Sequence, residues 1–271
     1  MSYTIAVAGK GGTGKSTLAA LAIKYITREL LRPVLAVDAD SNSTLGMMLG
    51  VHPRGTIADI RDDVVNGRSE MTPGSSKERH VEYCIHQSIT EAGGFDLLTM
   101  GRPEGPKCYC YVNNLLRKYL DRASADYPFV IIDNGAGMEH LSRRTTNNVD
   151  LLFVVAEPTA AGVASAVRIF ELVQRLEVAI RETALVLNRV APEGVDSVVL
   201  DRLAFADLKP QACICRDPVL EQAGIDGTSL LEIDEGNASY RAIAAFVAGH
   251  VARSTGPRTD IHTEETAYAG S

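Results

Sequence analysis

Gly9-Lys10-Gly11-Gly12-Thr13-Gly14-Lys15-Ser16-Thr17 fits the G-x-x-x-x-G-K-[ST] pattern of a phosphate-binding loop, and its flanks decide the fold. Upstream, Tyr3-Thr4-Ile5-Ala6-Val7-Ala8 is apolar and β-branched enough to be a buried strand. Downstream, Leu18 to Glu29 carries apolar residues at helical spacing. Strand, glycine-rich loop and helix in that order predict a nucleotide site. The glycines at 9, 11, 12 and 14 let backbone N–H groups turn inward to phosphate oxygens, and the helix that follows adds its positive end. Lys15 is expected to reach the β- and γ-phosphates, and the Ser16 hydroxyl to sit on Mg²⁺. Gly11, Gly12, Thr13, Gly14 and Thr17 complete the expected cradle. The plainer alternative, a glycine turn without a ligand, requires all three signals to coincide by accident.

Working outward, the 271 residues suffice for one large α/β domain. A formal net charge of −7 argues against broad nucleic-acid binding, although it leaves room for a local basic patch. No stretch of about 18 apolar residues suggests a membrane span. The start of the chain reads directly into a strand rather than a targeting segment, so the expected location is the cytoplasm. Five cysteines, four of them in two C-x-C pairs, suit a reducing compartment in which thiols serve metals or redox chemistry.

Further along, Val34-Leu35-Ala36-Val37 reads as a second buried strand that ends at Asp38-Ala39-Asp40. In open α/β sheets the ligand lies beyond such strand ends, which places both carboxylates near the phosphate loop. Capping of the next helix is the competing role for either one. Ser43 to Asp63 reads as partly helical, with breaks at Gly50 and Pro53 and an amphipathic piece from Thr56 to Val65. Asn66 to His80 is polar and reads as a surface loop. Strands follow at Phe95 to Met100, Phe129 to Asp133, Leu151 to Ala156, Ala184 to Arg189 and Ala212 to Cys215. Asp133, at the end of its strand, is placed to bind Mg²⁺ through water, and the glycines of Asn134-Gly135-Ala136-Gly137 permit close approach to a γ-phosphate. The sequence therefore predicts a single P-loop α/β domain over 1–253, with a mostly parallel sheet of seven to eight strands flanked by helices. The polar remainder, 254–271, reads as a disordered tail without a basic amphipathic membrane helix.

Two features carry a more specific resemblance. Lys10, directly after the first glycine, is absent from most phosphate loops; with it, Lys10 to Thr17 resembles the deviant Walker A of the ATPase group that includes MinD, ParA and the nitrogenase iron protein. The resemblance implies an ATP-dependent sandwich dimer in which Lys10 reaches the partner's nucleotide. It further implies that Asp38 holds Mg²⁺ through water, that Asp40 orients the attacking water, and that Asn188, Asp217 and Pro218 border the adenine. The second feature is Lys107-Cys108-Tyr109-Cys110-Tyr111. Two thiolates supply half of a four-ligand soft-metal site, and a two-fold axis would supply the other half. Read together with Asp133 to Thr145, this motif resembles the CooC family, accessory ATPases that help insert nickel into carbon monoxide dehydrogenase, with a related branch serving acetyl-CoA synthase. The resemblance implies a Ni²⁺ site, open to Zn²⁺, at Cys108 and Cys110 of each protomer in a homodimer. His140, beside the second switch, reads as a capping or packing histidine before it reads as a ligand. Cys213 and Cys215 would share one side of a strand, where a buried face would accept them as small hydrophobes, so a core or near-nucleotide role is expected ahead of a second metal site. Two other readings stay open: a positioning or partition ATPase, which would need a basic face or membrane helix, and a cluster-bridged redox protein, which does not draw its ligands from a C-x-C.

Overall fold

The computed structural model describes residues 2–66, 76–102, 120, 126–135, 148–175 and 178–255. In chain order these form β1 (Tyr3–Gly9), α1 (Lys15–Arg28), β2 (Val34–Ala39), α2 (Leu45–Met48), α3 (Ile57–Val65), α4 (Lys77–Ser88), β3 (Thr90–Ala92), β4 (Phe95–Thr99) and β5 (Phe129–Asn134). The second half adds β6 (Asn148–Ala156), α5 (Ala160–Val173), β7 (Ala179–Val190), α6 (Ser197–Phe205), β8 (Pro210–Cys215), α7 (Pro218–Asp226) and α8 (Ala238–Thr255). A short 3₁₀ turn, Leu230–Glu232, lies between the last two helices.

The eight strands make one sheet in the order β3-β4-β2-β5-β1-β6-β7-β8, parallel except for the β3–β4 hairpin at one edge. The expected fold class is therefore observed. Central strands β2 and β5 are buried along their whole length because helices cover both faces, which is why they read as continuous apolar runs. On one face, α1 and α8 pack Leu18, Ile26, Tyr240 and Phe246 against Ile5, Val7 and Phe153. On the other, α3, α4, α5 and α6 bring Ile60, Ile85, Ile169 and Leu203 against Ala6, Ala8 and Leu185.

The polar stretch expected as a loop as far as His80 departs from that reading. Ser76 accepts the Arg79 N–H and starts α4, which is helical through His80 and onward. Its sequence is so polar that only Val81, Cys84 and Ile85 mark a core-facing stripe, too few to stand out as a period. The short β3 escaped for a related reason: three residues before Gly93-Gly94 are below the length at which alternation can be read. Residues 67–75, the Cys108–Cys110 segment, Ala136 to Thr145 and the tail from 256 lie outside the described residues. Among those described, no helix is long and apolar enough to cross a membrane.

Candidate functional site

The phosphate loop sits where the strand order turns about β1, between β5 and β6, at the carboxyl end of the sheet. Gly9 must be glycine here, because a Cβ at that position would fall 2.3 Å from the Val155 carbonyl oxygen on β6. The loop closes on itself through Thr13, whose N–H and hydroxyl both donate to the Lys10 carbonyl, at 3.3 and 2.9 Å. Lys15 is buried, and its Nζ donates to the same carbonyl at 3.3 Å. Gly14 occupies the left-handed region (φ 90°, ψ 23°) as the N-cap of α1. It offers no side-chain acceptor, and the first turn holds no acidic residue. The N–H groups at the start of α1 are thus left to an anion, as a phosphate cradle requires.

Behind the loop lie the two predicted strand-end carboxylates. Asp38 and Asp133 are register partners on the adjacent strands β2 and β5, and neither is exposed at all. Asp38 is well satisfied: Oδ2 accepts the Leu45 N–H at 2.9 Å and Oδ1 accepts that of Asp40 at 3.2 Å. Burial still pushes it up to about 6, against those hydrogen bonds. Asp133 has no hydrogen-bond partner at normal geometry for either oxygen. Burial pushes it up to about 7; Ser16 and Lys15 nearby oppose the shift, and Asp38 and Asp40 add to it. A buried carboxylate left unpaired beside a second one is costly unless a cation faces it. The Ser16 hydroxyl, 3.1 Å from that of Thr44, completes a hard oxygen set, so Ser16, Asp38 and Asp133 fit Mg²⁺.

Asp40 takes a different local role from helix capping. Its Oδ1 accepts the backbone and side-chain N–H of Asn42, at 3.0 and 3.1 Å, which shapes the turn after β2. It is Asp38 whose carboxylate receives the first N–H of α2. Asp40 is thereby free of the helix and lies at the mouth of the site, close enough to act on both buried aspartates. Lys10 is exposed at the loop surface, an accessible position for a residue meant to reach a second copy.

The end of β7 grips the loop from the side. Asn188, buried, donates from Nδ2 to the Thr13 carbonyl at 2.8 Å. Arg189, in a left-handed conformation (φ 59°), donates from one nitrogen to the Gly12 carbonyl and to Glu157, both at 2.8 Å. The grip of Arg189 and Glu157 was not foreseen from the sequence; only the Asn-Arg pair at a strand end hinted at it. Asp217 caps α7 by accepting the N–H groups of Val219 and Leu220, with Pro218 at the first helical position. Burial alone would raise Asp217, but hydrogen bonds from Ser239, Asn237 and the helix outweigh it and hold the carboxyl below the usual range. The core role expected of the second C-x-C is overturned. Cys213 and Cys215 do share one side of β8, but it is the exposed side, while Ile214 between them is buried. Alternation thus placed the thiols together without telling which face of the strand is buried.

These features define a P-loop nucleotide-binding protein of the doubly wound kind. Residues 4–227 match the CobQ/CobB/MinD/ParA nucleotide binding domain, and the chain belongs to that family of nucleotide-binding ATPases. Among its relatives, an uncharacterized ATP-binding protein of Methanocaldococcus jannaschii is 44% identical over 191 residues, spanning 70% of this chain and 75% of the relative. The carbon monoxide dehydrogenase accessory protein CooC of Rhodospirillum rubrum is 31% identical over 218 residues, spanning 75% of this chain and 81% of the relative. Of solved structures, the septum site-determining protein MinD of Pyrococcus horikoshii in complex with Mg-ADP superposes with a TM-score of 0.65 at 21% identity, over 94% of this chain and 98% of that one. MinD in the Aquifex aeolicus MinC:MinD complex gives 0.68 at 20% identity, over 95% and 98%. These last two share the fold.

Proposed function

We propose that this chain is a cytoplasmic, ATP-dependent nickel metallochaperone that dimerises over Mg-ATP, binds nickel through Cys108 and Cys110 of each copy, and assists nickel insertion into carbon monoxide dehydrogenase or acetyl-CoA synthase. The observation that carries it is the conjunction of an ATPase site with an interrupted thiol pair in a chain 31% identical to CooC.

In the hydrolytic step a water attacks the γ-phosphorus, the bond to the β–γ bridging oxygen breaks, and ADP and phosphate result. Mg²⁺ held by Ser16, Asp38 and Asp133 would neutralise phosphate charge. Lys15 and the α1 N-terminus hold the phosphates, Lys10 of the partner subunit meets the charge that develops as the bond breaks, and Asp40 orients the water. Asn188 and Arg189 keep the loop in shape from behind, and Asn188, Asp217 and Pro218 form the adenine side. Nickel is cargo, not cofactor: four thiolates across a two-fold axis would hold it, and zinc competes for the same sulfurs. No part for nucleic acid or membrane is included in this reading.

The test is activation of nickel-deficient carbon monoxide dehydrogenase by Ni²⁺, with this protein and ATP added. The reading predicts faster activation than with Ni²⁺ alone, lost with Asp40→Asn and with Cys108→Ser/Cys110→Ser. ATP-dependent dimerisation without metal binding or activation would instead favour a MinD- or ParA-like positioning ATPase.

A further inference from the structure

Strand β8 is the outer edge of the sheet, and it presents Cys213 and Cys215 side by side as free, exposed thiols. They take no part in the core or in the loop contacts described above. Burial, then the neighbouring Cys215, pushes the Cys213 thiol up.

Strand geometry decides what such a pair can hold. Residues two apart stand parallel and roughly 6.6 Å apart, twice a rise of about 3.3 Å. A disulfide needs Cβ atoms within about 3.5–4.5 Å, so oxidation would pull β8 out of its ladder with β7. A single cation asks much less. Two metal–sulfur bonds of about 2.3 Å span about 4.6 Å, so each sulfur need lean inward by only about 1 Å. Ligand count then selects the cation. Among the described residues no cluster of three or more His, Cys, Asp or Glu side chains could hold a metal, so nothing there completes a tetrahedral zinc site. Two thiolates in line do satisfy a soft monovalent cation, and thiolate is the ligand that selects Cu(I).

We propose that Cys213 and Cys215 form a second metal site, separate from Cys108 and Cys110, that takes one soft monovalent cation of the Cu(I) class per chain in two-coordinate form. It stands independently of the nickel reading, because it rests on β8 alone.

The experiment begins with Cys108→Ser/Cys110→Ser protein, reduced and anaerobic, titrated against Cu(I) held as its coloured bicinchoninate complex. The expected result is withdrawal of one Cu(I) per chain with no change in oligomeric mass. Adding Cys213→Ser/Cys215→Ser abolishes the withdrawal while circular dichroism and ATP binding persist. Cys213→Ala alone, a change at one exposed side chain, gives the same loss should the fuller variant fold poorly. The proposal is overturned if the starting protein withdraws no copper, or if one copper is shared by two chains in a dimer. Transfer that survives loss of both cysteines also overturns it, as would occur if Cys84, 3.5 Å from His80, were the ligand. Failure of nickel binding at Cys108 and Cys110 would leave all these outcomes unchanged.

Discussion

Asp133 is a fully buried carboxylate with both oxygens unpartnered, and its burial has a measurable cost. With its pKa raised from 3.8 to about 7 in the folded chain, it holds a proton between those values that the unfolded chain has released. The unfolded state binds fewer protons there, so stability falls as pH rises from about 4 to about 7, by on the order of 4 kcal/mol, and levels off above. Asp38, raised to about 6, adds to the lower part of that fall. Without Mg²⁺ and nucleotide, Asp133→Asn should therefore melt higher than wild type at pH 7.5, and the gap should close by pH 4; a gap independent of pH would contradict the assignment. Asn188 gives a second prediction. Asn188→Ala leaves the buried Thr13 carbonyl without its donor, expected to cost about 1–3 kcal/mol and to raise KM for ATP. Arg189→Ala removes a half-exposed contact and should cost under about 1 kcal/mol. Equal effects in melting and kinetics would refute that ordering. Lys15, Asp38 and Asp133 were legible from sequence because their spacing relative to strand ends is fixed by the chemistry. The Arg189–Glu157 link was not, because it joins residues brought together only by neighbouring strands.

At the level of elements, legibility followed burial on two sides. The buried cores of β1, β2 and β5 announced themselves as apolar runs, whereas α4 and β3, each with few core-facing residues, did not. β8 shows the intermediate case: alternation correctly paired Cys213 with Cys215, but at a sheet edge nothing in the sequence says which face has a helix over it. Element ends also carry stability of their own. Thr159 caps α5 by accepting the Gly162 N–H at 3.0 Å, and a Cβ at Gly162 would lie 2.1 Å from the Glu157 carbonyl oxygen. Thr159→Ala is expected to cost about 1 kcal/mol in urea unfolding. Gly162→Ala should cost more, about 1–3 kcal/mol, since backbone must move to admit the methyl group. Gly162→Ala no more destabilising than the cap variant would show that α5 shifts freely at this end.

For the whole molecule, the sheet order places the phosphate loop, both buried aspartates and the Asn188–Arg189 grip at one rim, with Lys10 exposed beside them. That arrangement suits closure of two copies over two nucleotides. Lys10→Ala should therefore keep ATP binding within about threefold while losing ATP-dependent dimer mass and hydrolysis together, because its expected partner lies in the other subunit. Loss of ATP binding itself would place Lys10 in its own subunit's site instead. The family was legible in the loop because its lysine-glycine pattern is unusual; a nickel cargo is proposed only through resemblance, because two thiolates suit several metals. The central claim is tested most directly by nickel stoichiometry and oligomeric mass, measured under reducing conditions with and without ATP. The account predicts about one Ni²⁺ per wild-type dimer, lost in Cys108→Ser/Cys110→Ser while ATP binding survives. Equal nickel in both proteins, or none in either, would contradict it.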